Sequence, residues 1–393
     1  MTLMHAAPVL KILGLLLSIL AIAMLIPMSF DLFSGNSDWQ AFAAASLFTG
    51  FIGICLWLAN RKINDSDDLG LKEAFLLTNG AWVLIGLFGA LPFYFSSLQL
   101  SVVNSVFEST SGITTTGSTI LSHIEQASSG LLIWRALLQW LGGVGIIVMA
   151  MAVLPMLSVG GMQLFRTESF ETADKVIPRA TQLAGGIFAV YTGLTILWTA
   201  MLAGAGMPSF DALAHAMTTL ATGGYSTKTS SIGAFDSHLI ELIIIAGMIV
   251  GSLPFVHYLA MTRGGWKGLW YDPQVRWFVV LMVAVITLIT LDLNRDGHGW
   301  AEALRLSSFN AISVLTGTGY GTSDFASWGG SSTTILLICM FIGGCAGSTT
   351  CGIKMFRLQV LAANIKVQLA RLLRPHAVVI AYYNKRAVPE SVL

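Results

Sequence analysis

Apolar residues run in long blocks along this chain, and polar residues collect between them. A helix needs about 20 consecutive apolar residues to cross the hydrocarbon of a bilayer. Eight blocks are read as spans: Val9–Phe30, Gln40–Ala59, Glu73–Ser96, Leu131–Leu157, Thr181–Leu202, Leu239–Met261, Val275–Leu291 and Thr333–Ile353. The first is long for the apolar part of a signal peptide and has no small-x-small cleavage site, so it is read as a retained span.

Three connections carry a pattern of their own. Segments 97–130, 203–238 and 292–332 each hold a short amphipathic stretch followed by a Gly/Thr cluster. The stretches Ser101–Ser111, Ser209–Leu220 and Glu302–Val314 are too brief to span and fit re-entrant helices. Ser209 as a cap and Glu302 in a first turn suit helix N-termini. The clusters read Ser-Gly-Ile-Thr-Thr-Thr-Gly-Ser (111–118), Thr-Thr-Leu-Ala-Thr-Gly-Gly-Tyr (218–225) and Ser-Val-Leu-Thr-Gly-Thr-Gly-Tyr (313–320). Their final glycines, Gly117, Gly224 and Gly319, lie 107 and 95 residues apart. A span–short helix–loop–span unit therefore recurs three times.

Irregular backbone at membrane depth is tolerated only where it is buried or lines a water-filled cavity. A final Gly can take positive φ, which turns neighbouring carbonyls toward a common axis. Thr adds a hydroxyl and a carbonyl oxygen without charge. Rings of carbonyls that replace a hydration shell make potassium filters, and the negative C-terminal end of a re-entrant helix favours a cation. One such cluster alone reads as a helix-capping turn; three at equivalent places reverse that reading.

Composition narrows the class. Charged residues make up 10% of the 393 residues, against about 25% in soluble domains. The apolar set is 55%, and about 65% once the 40 Gly are counted. So few charges cannot clothe a soluble enzyme, and so much apolar surface excludes disorder. A net charge of +1 argues against a nucleic-acid-binding body. The four cysteines, Cys55, Cys339, Cys345 and Cys351, form no CxxC or CxxH pair and read as packing residues.

With the N-terminus in the cytoplasm, 17 of the 21 Lys and Arg fall in cytoplasmic segments, leaving Arg135, Lys228, Arg295 and Arg305 outside. That bias sets both termini in the cytoplasm. Eleven acids fall on the outer side: Asp31, Asp38, Glu108, Glu125, Asp211, Asp236, Glu241, Asp292, Asp296, Glu302 and Asp324. Together they would make a negative face that concentrates cations; singly, each reads equally as an ordinary solvated residue.

Individual residues carry similar pairs of readings. Glu108, in the first short helix, is either an ion-path acid or a partner of nearby backbone. Arg135, one turn from Gln139, reads as an anchor that snorkels to the outer interface. His215 reads as a packed polar residue rather than a ligand. Arg166, Lys175 and Arg179, with Glu168, Glu171 and Asp174, form a charged cytoplasmic loop, either solvated or a docking surface for a soluble regulator. Trp39, Trp198 and Trp300 read as interface anchors.

At these residues the sequence resembles the Trk/Ktr superfamily of potassium-uptake proteins, and within it the TrkH-like membrane subunits. The likeness runs over essentially the whole chain. It is carried by the three clusters, by Trp140-Leu-Gly-Gly-Val-Gly-Ile-Ile-Val148, and by Gly343-Gly-Cys-Ala-Gly-Ser-Thr-Thr-Cys-Gly-Ile-Lys354, which is similar to the family's GGCxGSTGGGxK string. The resemblance implies an all-α integral membrane fold: two N-terminal helices (1–70), M1–P–M2 units at 71–158, 159–265 and 266–353, and a basic cytoplasmic tail (354–393). By the same resemblance the filter residues are Thr114, Thr115, Thr116 and Gly117; Ala221, Thr222, Gly223 and Gly224; and Thr316, Gly317, Thr318 and Gly319. The family's gate, a broken stretch of the third M2, falls on Gly343, Gly344, Cys345, Ala346, Gly347, Ser348, Thr349, Thr350, Cys351 and Gly352. Thr350 and Cys351 stand where the family has glycine. It further implies a homodimer in the bacterial inner membrane, a cytosolic nucleotide-binding (TrkA-like) regulatory subunit, K+ as the transported ion, taken up either passively or coupled to another ion as symport, and no other cofactor.

The gate also has a case from composition. Gly343, Gly344, Gly347 and Gly352 fall within ten residues, and each Gly costs a helix about 1 kcal/mol relative to Ala. The segment begins about 15 Å below the outer end of its span, where an unwound loop must face a cavity. Close helix packing through small residues is the alternative.

The family has four units and this chain carries three. Residues 354–393 hold seven Lys and Arg and no run long enough to span. Truncation of a longer gene is the favoured explanation, with a separate polypeptide supplying the last unit as the other; the polypeptide alone is then expected not to restore potassium uptake. A sodium-selective relative and a non-conducting fragment stay open. A membrane-embedded enzyme is set aside, because no paired intramembrane Asp and no HExxH occurs.

Overall fold

The structure is a computed structural model, and it describes residues 6–61, 70–152, 180–374, 380, 382–383 and 386–387. The loop holding Arg166, Lys175 and Arg179 lies outside the described residues, as does the end of the span drawn to Leu157.

The architecture is almost entirely helical. At the N-terminus α1 (Ala6–Ala23) runs into α2 (Leu25–Ser34) as one 29-residue span. Gly35 ends it at φ 71°, its N–H donating to the carbonyls of Asp31 and Leu32. Next comes α3 (Trp39–Asn60), which crosses α1 backbone to backbone: a Cβ on Gly53 would lie 2.8 Å from the Gly14 oxygen. Then follow α4 (Leu71–Gly89), α5 (Leu91–Phe95), the short helix α6 (Val102–Ile113) and α7 (Ser129–Ala152). The pattern returns with α8 (Ala180–Gly204), the short α9 (Ser209–Leu220), α10 (His238–Ser252) and α11 (Phe255–Met261). After the linker helix α12 (Lys267–Tyr271) come α13 (Pro273–Arg295), the short α14 (Trp300–Leu315), α15 (Gly330–Cys339) and α16 (Met355–Leu373). A two-strand hairpin, β1 (Tyr382–Tyr383) with β2 (Arg386–Ala387), lies beyond α16.

Among the described residues six helical stretches are long and apolar enough to cross a membrane, with α1–α2 and α4–α5 each counting as one, or seven if α10 and α11 also count as one. Their outward faces carry large apolar side chains such as Phe33, Leu47 and Val280, as lipid requires. The chain is an integral membrane protein.

Two of the expected spans are corrected. Leu239–Met261 is not continuous: α10 and α11 meet at 97°. Pro254 supplies no N–H and drives Leu253 into extended backbone (φ −95°, ψ 157°), so the helix stops at Ser252. Thr333–Ile353 is helical only as far as Cys339, with Met340 as its cap, and irregular backbone follows to Lys354. The basic stretch after Lys354 begins as the helix α16.

Apolar packing forms three clusters in chain order. One joins the N-terminal helices to α7 around Phe42, Phe93 and Trp134. A second surrounds Tyr191, Ile244 and Phe255, and a third surrounds Phe278, Ile289 and Leu336. The short helices bridge them: α9 packs on α7, and α14 packs on α10.

Candidate functional site

Each short helix ends the same way. The four N–H groups of the first loop turn back onto the last turns of α6: Thr114 to Thr110, Thr115 to Gly112, and Thr116 and Gly117 to Ser111, at 2.9, 3.0, 2.9 and 3.5 Å. Loop 3 repeats this from Thr316, Gly317, Thr318 and Gly319 to Ile312, Val314 and Ser313 (twice), at 2.9, 3.0, 2.9 and 3.3 Å. Loop 2 does so from Ala221, Thr222 and Gly223 to Met217, Thr219 and Thr218, at 3.1, 3.0 and 2.9 Å. The second and fourth residues of every loop have positive φ: Thr115 56° and Gly117 80°, Thr222 48° and Gly224 77°, Gly317 72° and Gly319 85°. Left-handed backbone at a β-branched Thr costs roughly 1–3 kcal/mol and persists where the surroundings enforce it. These N–H groups are engaged by the helix ends, and the Gly223 and Thr318 oxygens lie against glycines of the neighbouring loops. Among the described residues only one of the loop carbonyls accepts a hydrogen bond, that of Gly223 from Gln139 Nε2 at 2.7 Å.

The loops adjoin in sequence order. A Cβ on Gly117 would lie 2.0 Å from the Gly223 oxygen, and one on Gly224 would lie 1.8 Å from the Thr318 oxygen. Only glycine allows this approach. A Cβ on Gly319 would meet nothing within 4 Å, so the third loop has an open side. The residue after each of the last two loops latches onto the preceding short helix. Tyr225 Oη donates to the Glu108 carbonyl at 2.9 Å, and Tyr320 Oη meets Thr218 Oγ1 at 2.5 Å. The loops thus bring together neutral oxygens and no ionisable side chain.

A buried polar residue six positions before each loop holds the returning chain. Glu108 accepts from Thr119 Oγ1 (2.8 Å) and the Ile120 N–H (3.1 Å). His215 Nε2 meets Ser226 Oγ at 2.9 Å while Nδ1 meets the Asp211 carbonyl at 2.7 Å. Asn310 Nδ2 donates to Thr322 Oγ1 at 3.0 Å. Asn310 went unnoticed in the sequence, although the 107- and 95-residue offsets between the loops place it opposite Glu108 and His215.

Several single-residue expectations are corrected here. Arg135 does not snorkel: its side chain is 1% exposed, and Nε pairs with Glu108 Oε1 at 2.8 Å. Its Nη1 donates to the Ser226 carbonyl at 3.0 Å, and the guanidinium lies 4.0 Å from the centre of the Tyr225 ring. Trp198 is buried and donates from Nε1 to the Ile243 carbonyl at 2.9 Å, so it ties α8 to α10 rather than anchoring at an interface. Ser209 is the first residue of α9, and its predecessor Pro208 occupies the cap without a side-chain bond. Asp31, Asp38, Glu108, Asp211 and Glu241 are buried among the outer acids. They are held by Ser128 and Gly130, Ser97, Arg135, Thr227 and Arg305 respectively, so they add little to an outward-facing field.

The glycine-rich segment closes on itself and fills the kink between α10 and α11. Gly343 N–H donates to the Ile353 carbonyl (3.0 Å) and Ile353 N–H to that of Phe341 (2.9 Å). A Cβ on Gly343 would lie 1.8 Å from the Cys351 oxygen. The backbone groups freed by the kink are taken up by the segment: Cys345 N–H by the Ser252 carbonyl, Thr349 N–H by that of Gly251, and Phe255 N–H by that of Gly347, at 3.0, 3.1 and 3.0 Å. Ala346 N–H goes to Gln274 Oε1 at 2.9 Å. Gly344 N–H donates to Thr350 Oγ1, Ser348 Oγ meets that hydroxyl, and Lys354 Nζ contacts the Thr350 carbonyl. Residues 343–350 are buried, while Cys351 and Gly352 are exposed. Thr349 reaches the base of loop 2, and Cys351 Sγ lies against Gly317 of loop 3; Ala346 and Gly347 face α13 and α11 instead. No group of three or more His, Cys, Asp or Glu able to hold a metal occurs among the described residues.

Short helices that each end in a matching loop, set between long apolar helices, mark out the candidate site of this integral membrane protein. The comparisons give the family. A family model described as a cation transport protein, TrkH, matches residues 38–393. The Trk system potassium uptake protein TrkI of Halomonas elongata is 39% identical over 100% of this chain and 79% of its own length. The Trk system potassium uptake protein TrkH of Escherichia coli K12 is 36% identical over 99% of this chain and 82% of its own. The crystal structure of the potassium transporter TrkH from Vibrio parahaemolyticus superposes with a TM-score of 0.91 at 32% identity, covering 99% of this chain and 81% of that one. The chain belongs to the TrkH family of cation transport proteins.

Proposed function

We propose that this chain takes part in potassium uptake across the inner membrane. Its three span–short helix–loop–span units form part of a pseudo-fourfold channel, preceded by the two N-terminal spans. Residues 114–117, 221–224 and 316–319 are the filter, and 343–352 are the gate. The observation that carries this reading is the repeated loop geometry. Three loops spend all four, or in loop 2 three of four, of their N–H groups on the helix ends, share one alternation of φ, and adjoin in order. A ring of neutral oxygens can replace the water shell of a monovalent cation, and each short helix adds the negative end of its dipole. A fourth loop belongs on the open side beside Gly319. Both termini are cytoplasmic. The chain works as a homodimer with a cytosolic nucleotide-binding subunit, and uptake is coupled as symport.

The test is uptake of potassium and rubidium in cells lacking their own uptake systems, with the fourth unit supplied. Restored growth at low potassium is expected. Gly224→Ala should lose at least about tenfold of the preference for potassium over sodium, because its Cβ would meet the Thr318 oxygen at 1.8 Å. An unchanged ion preference in Gly224→Ala would overturn the filter assignment.

A further inference from the structure

The glycine-rich segment is fastened to one loop of the ring through a single hydroxyl. Thr349 Oγ1 lies 3.0 Å from the Leu220 carbonyl and 2.9 Å from the Gly251 carbonyl, and accepts from Thr222 Oγ1 at 3.1 Å. Leu220 is the last residue of α9, Thr222 carries one of the left-handed loop backbones, and Gly251 precedes the kink in α10. Three elements therefore converge on one buried side chain. The fit is tight: a Cβ on Gly251 would lie 2.9 Å from the Leu220 oxygen, 2.9 Å from Thr222 Cγ2 and 3.3 Å from Thr349 Oγ1.

The other two loops lack this fastening. The helix-end carbonyl of the first, Ile113, instead faces Gly142, where a Cβ would lie 1.9 Å away. Loop 3 touches the segment through the Cys351 thiol, with Sγ 2.4 Å from the Cβ position of Gly317, a packing contact without a hydrogen bond. On its far side loop 2 is gripped by Gln139, which donates to the Gly223 carbonyl (2.7 Å) and accepts from the Tyr225 N–H (3.1 Å). Loop 2 is thus clamped between a fixed helix, α7, and the segment.

We propose that Thr349 is a positioning residue that couples the state of the glycine-rich segment to the ion preference of the ring. This rests on the reading of the loops as filter and of the segment as gate. Displacing the segment removes the hydroxyl from Leu220, Gly251 and Thr222 together. Loop 2 then keeps only the Gln139 side of its clamp, and the left-handed backbone at Thr222 loses the contact that helps hold it. A closed segment accordingly goes with a narrow, selective ring, and an open one with a looser ring.

The experiment compares Thr349→Val, which keeps the shape and removes the hydroxyl, with Thr349→Ser, which keeps the hydroxyl. Both are assayed in the complete transporter in liposomes, by resting rubidium efflux and by the potassium-to-sodium permeability ratio. Thr349→Val is expected to raise resting efflux by about tenfold and to lower the ratio by about fivefold, the size expected for one or two lost hydrogen bonds. Thr349→Ser should restore both. Higher efflux with an unchanged ratio would overturn the coupling while leaving the gate intact, and no change in either would overturn the role of Thr349 altogether. Thr222→Val removes the donor from the other side and serves should Thr349→Val not fold. The two valines should be non-additive in the ratio, and additive effects would count against the inference. The underlying reading fails separately, through an unchanged ratio in Gly224→Ala or unchanged resting efflux on deleting residues 343–349.

Discussion

The seam between loops 1 and 2 and the seam between loops 2 and 3 do the same geometric task with different chemistry. In both, a tyrosine after the later loop reaches back to the preceding short helix. At the first seam the tyrosine belongs to an ionic cluster, in which Glu108 and Arg135 pair at 2.8 Å with both side chains almost fully buried. At the second seam Tyr320 meets Thr218 and Thr219 hydroxyls and the His215 carbonyl, at 2.5, 3.3 and 3.4 Å. Geometry alone therefore does not require charge here. What charge changes is the response to damage. A buried ion pair adds little net stability while intact, but a broken one leaves an uncompensated charge in a low dielectric. A neutral hydroxyl network loses one modest bond at a time.

The sharpest way to break the comparison is Arg135→Ala. It strands the Glu108 carboxylate and also removes the Nη1 bond to Ser226 and the stacking on Tyr225. A loss of about 3–5 kcal/mol is expected, read as the unfolding free energy in detergent. The paired replacement Glu108→Leu with Arg135→Met should recover much of it, since no charge is then left buried. At the other seam Tyr320→Phe should cost only about 1 kcal/mol. Equal losses from Arg135→Ala and Tyr320→Phe would erase the distinction between the seams.

Periodicity and spacing carried the sequence reading furthest where structure is local. The short helix expected over Ser209–Leu220 has those bounds, because its signal is an apolar face followed by a Gly/Thr turn. The break after Cys339 also follows from local composition, since four glycines in ten residues oppose a helix whatever surrounds them. The α10–α11 kink is equally local, carried by Pro254, but a count of apolar residues ignores a breaker inside the run. The seams were not legible. Arg135 and Glu108 lie 27 residues apart on different helices, and Tyr225 and Glu108 lie 117 apart. No pattern along the chain distinguishes a buried, partnered charge from a solvated one, which is why the outer acids read as a surface field. The common position of Glu108, His215 and Asn310 was within reach through the repeat offsets, but three unlike side chains concealed it.

The contrast between the seams continues to the outer surface, where it gives the smallest and most specific effect. Outside the spans at the first seam, the Glu125 carboxylate accepts from Thr229 N–H (2.7 Å) and Thr229 Oγ1 (2.5 Å), and Thr229 Oγ1 accepts from Ile124 N–H (3.1 Å). The Thr229 hydroxyl and N–H hold the Glu125 carboxyl down to about 2, from an ordinary value near 4.5. At the second seam the matching ties are uncharged: Gly233 N–H to the Gly321 carbonyl and Gly321 N–H to Ser231 Oγ, both at 3.2 Å. A carboxyl whose folded pKa is depressed contributes stability that is complete above its unfolded pKa and is lost as pH falls through the folded one. The stability gap between the native chain and Thr229→Val should therefore stay constant from neutral pH to about 4.5 and shrink as pH falls toward 2. The gap itself should be under about 1 kcal/mol, because the carboxylate is solvent-screened. Ser231→Ala, at the neutral seam, should show a gap that does not vary over the same range. Thermal unfolding in detergent at stepped pH measures both, and a Thr229→Val gap that stays flat down to pH 2 would show that the first seam's charge does not extend to its outer rim.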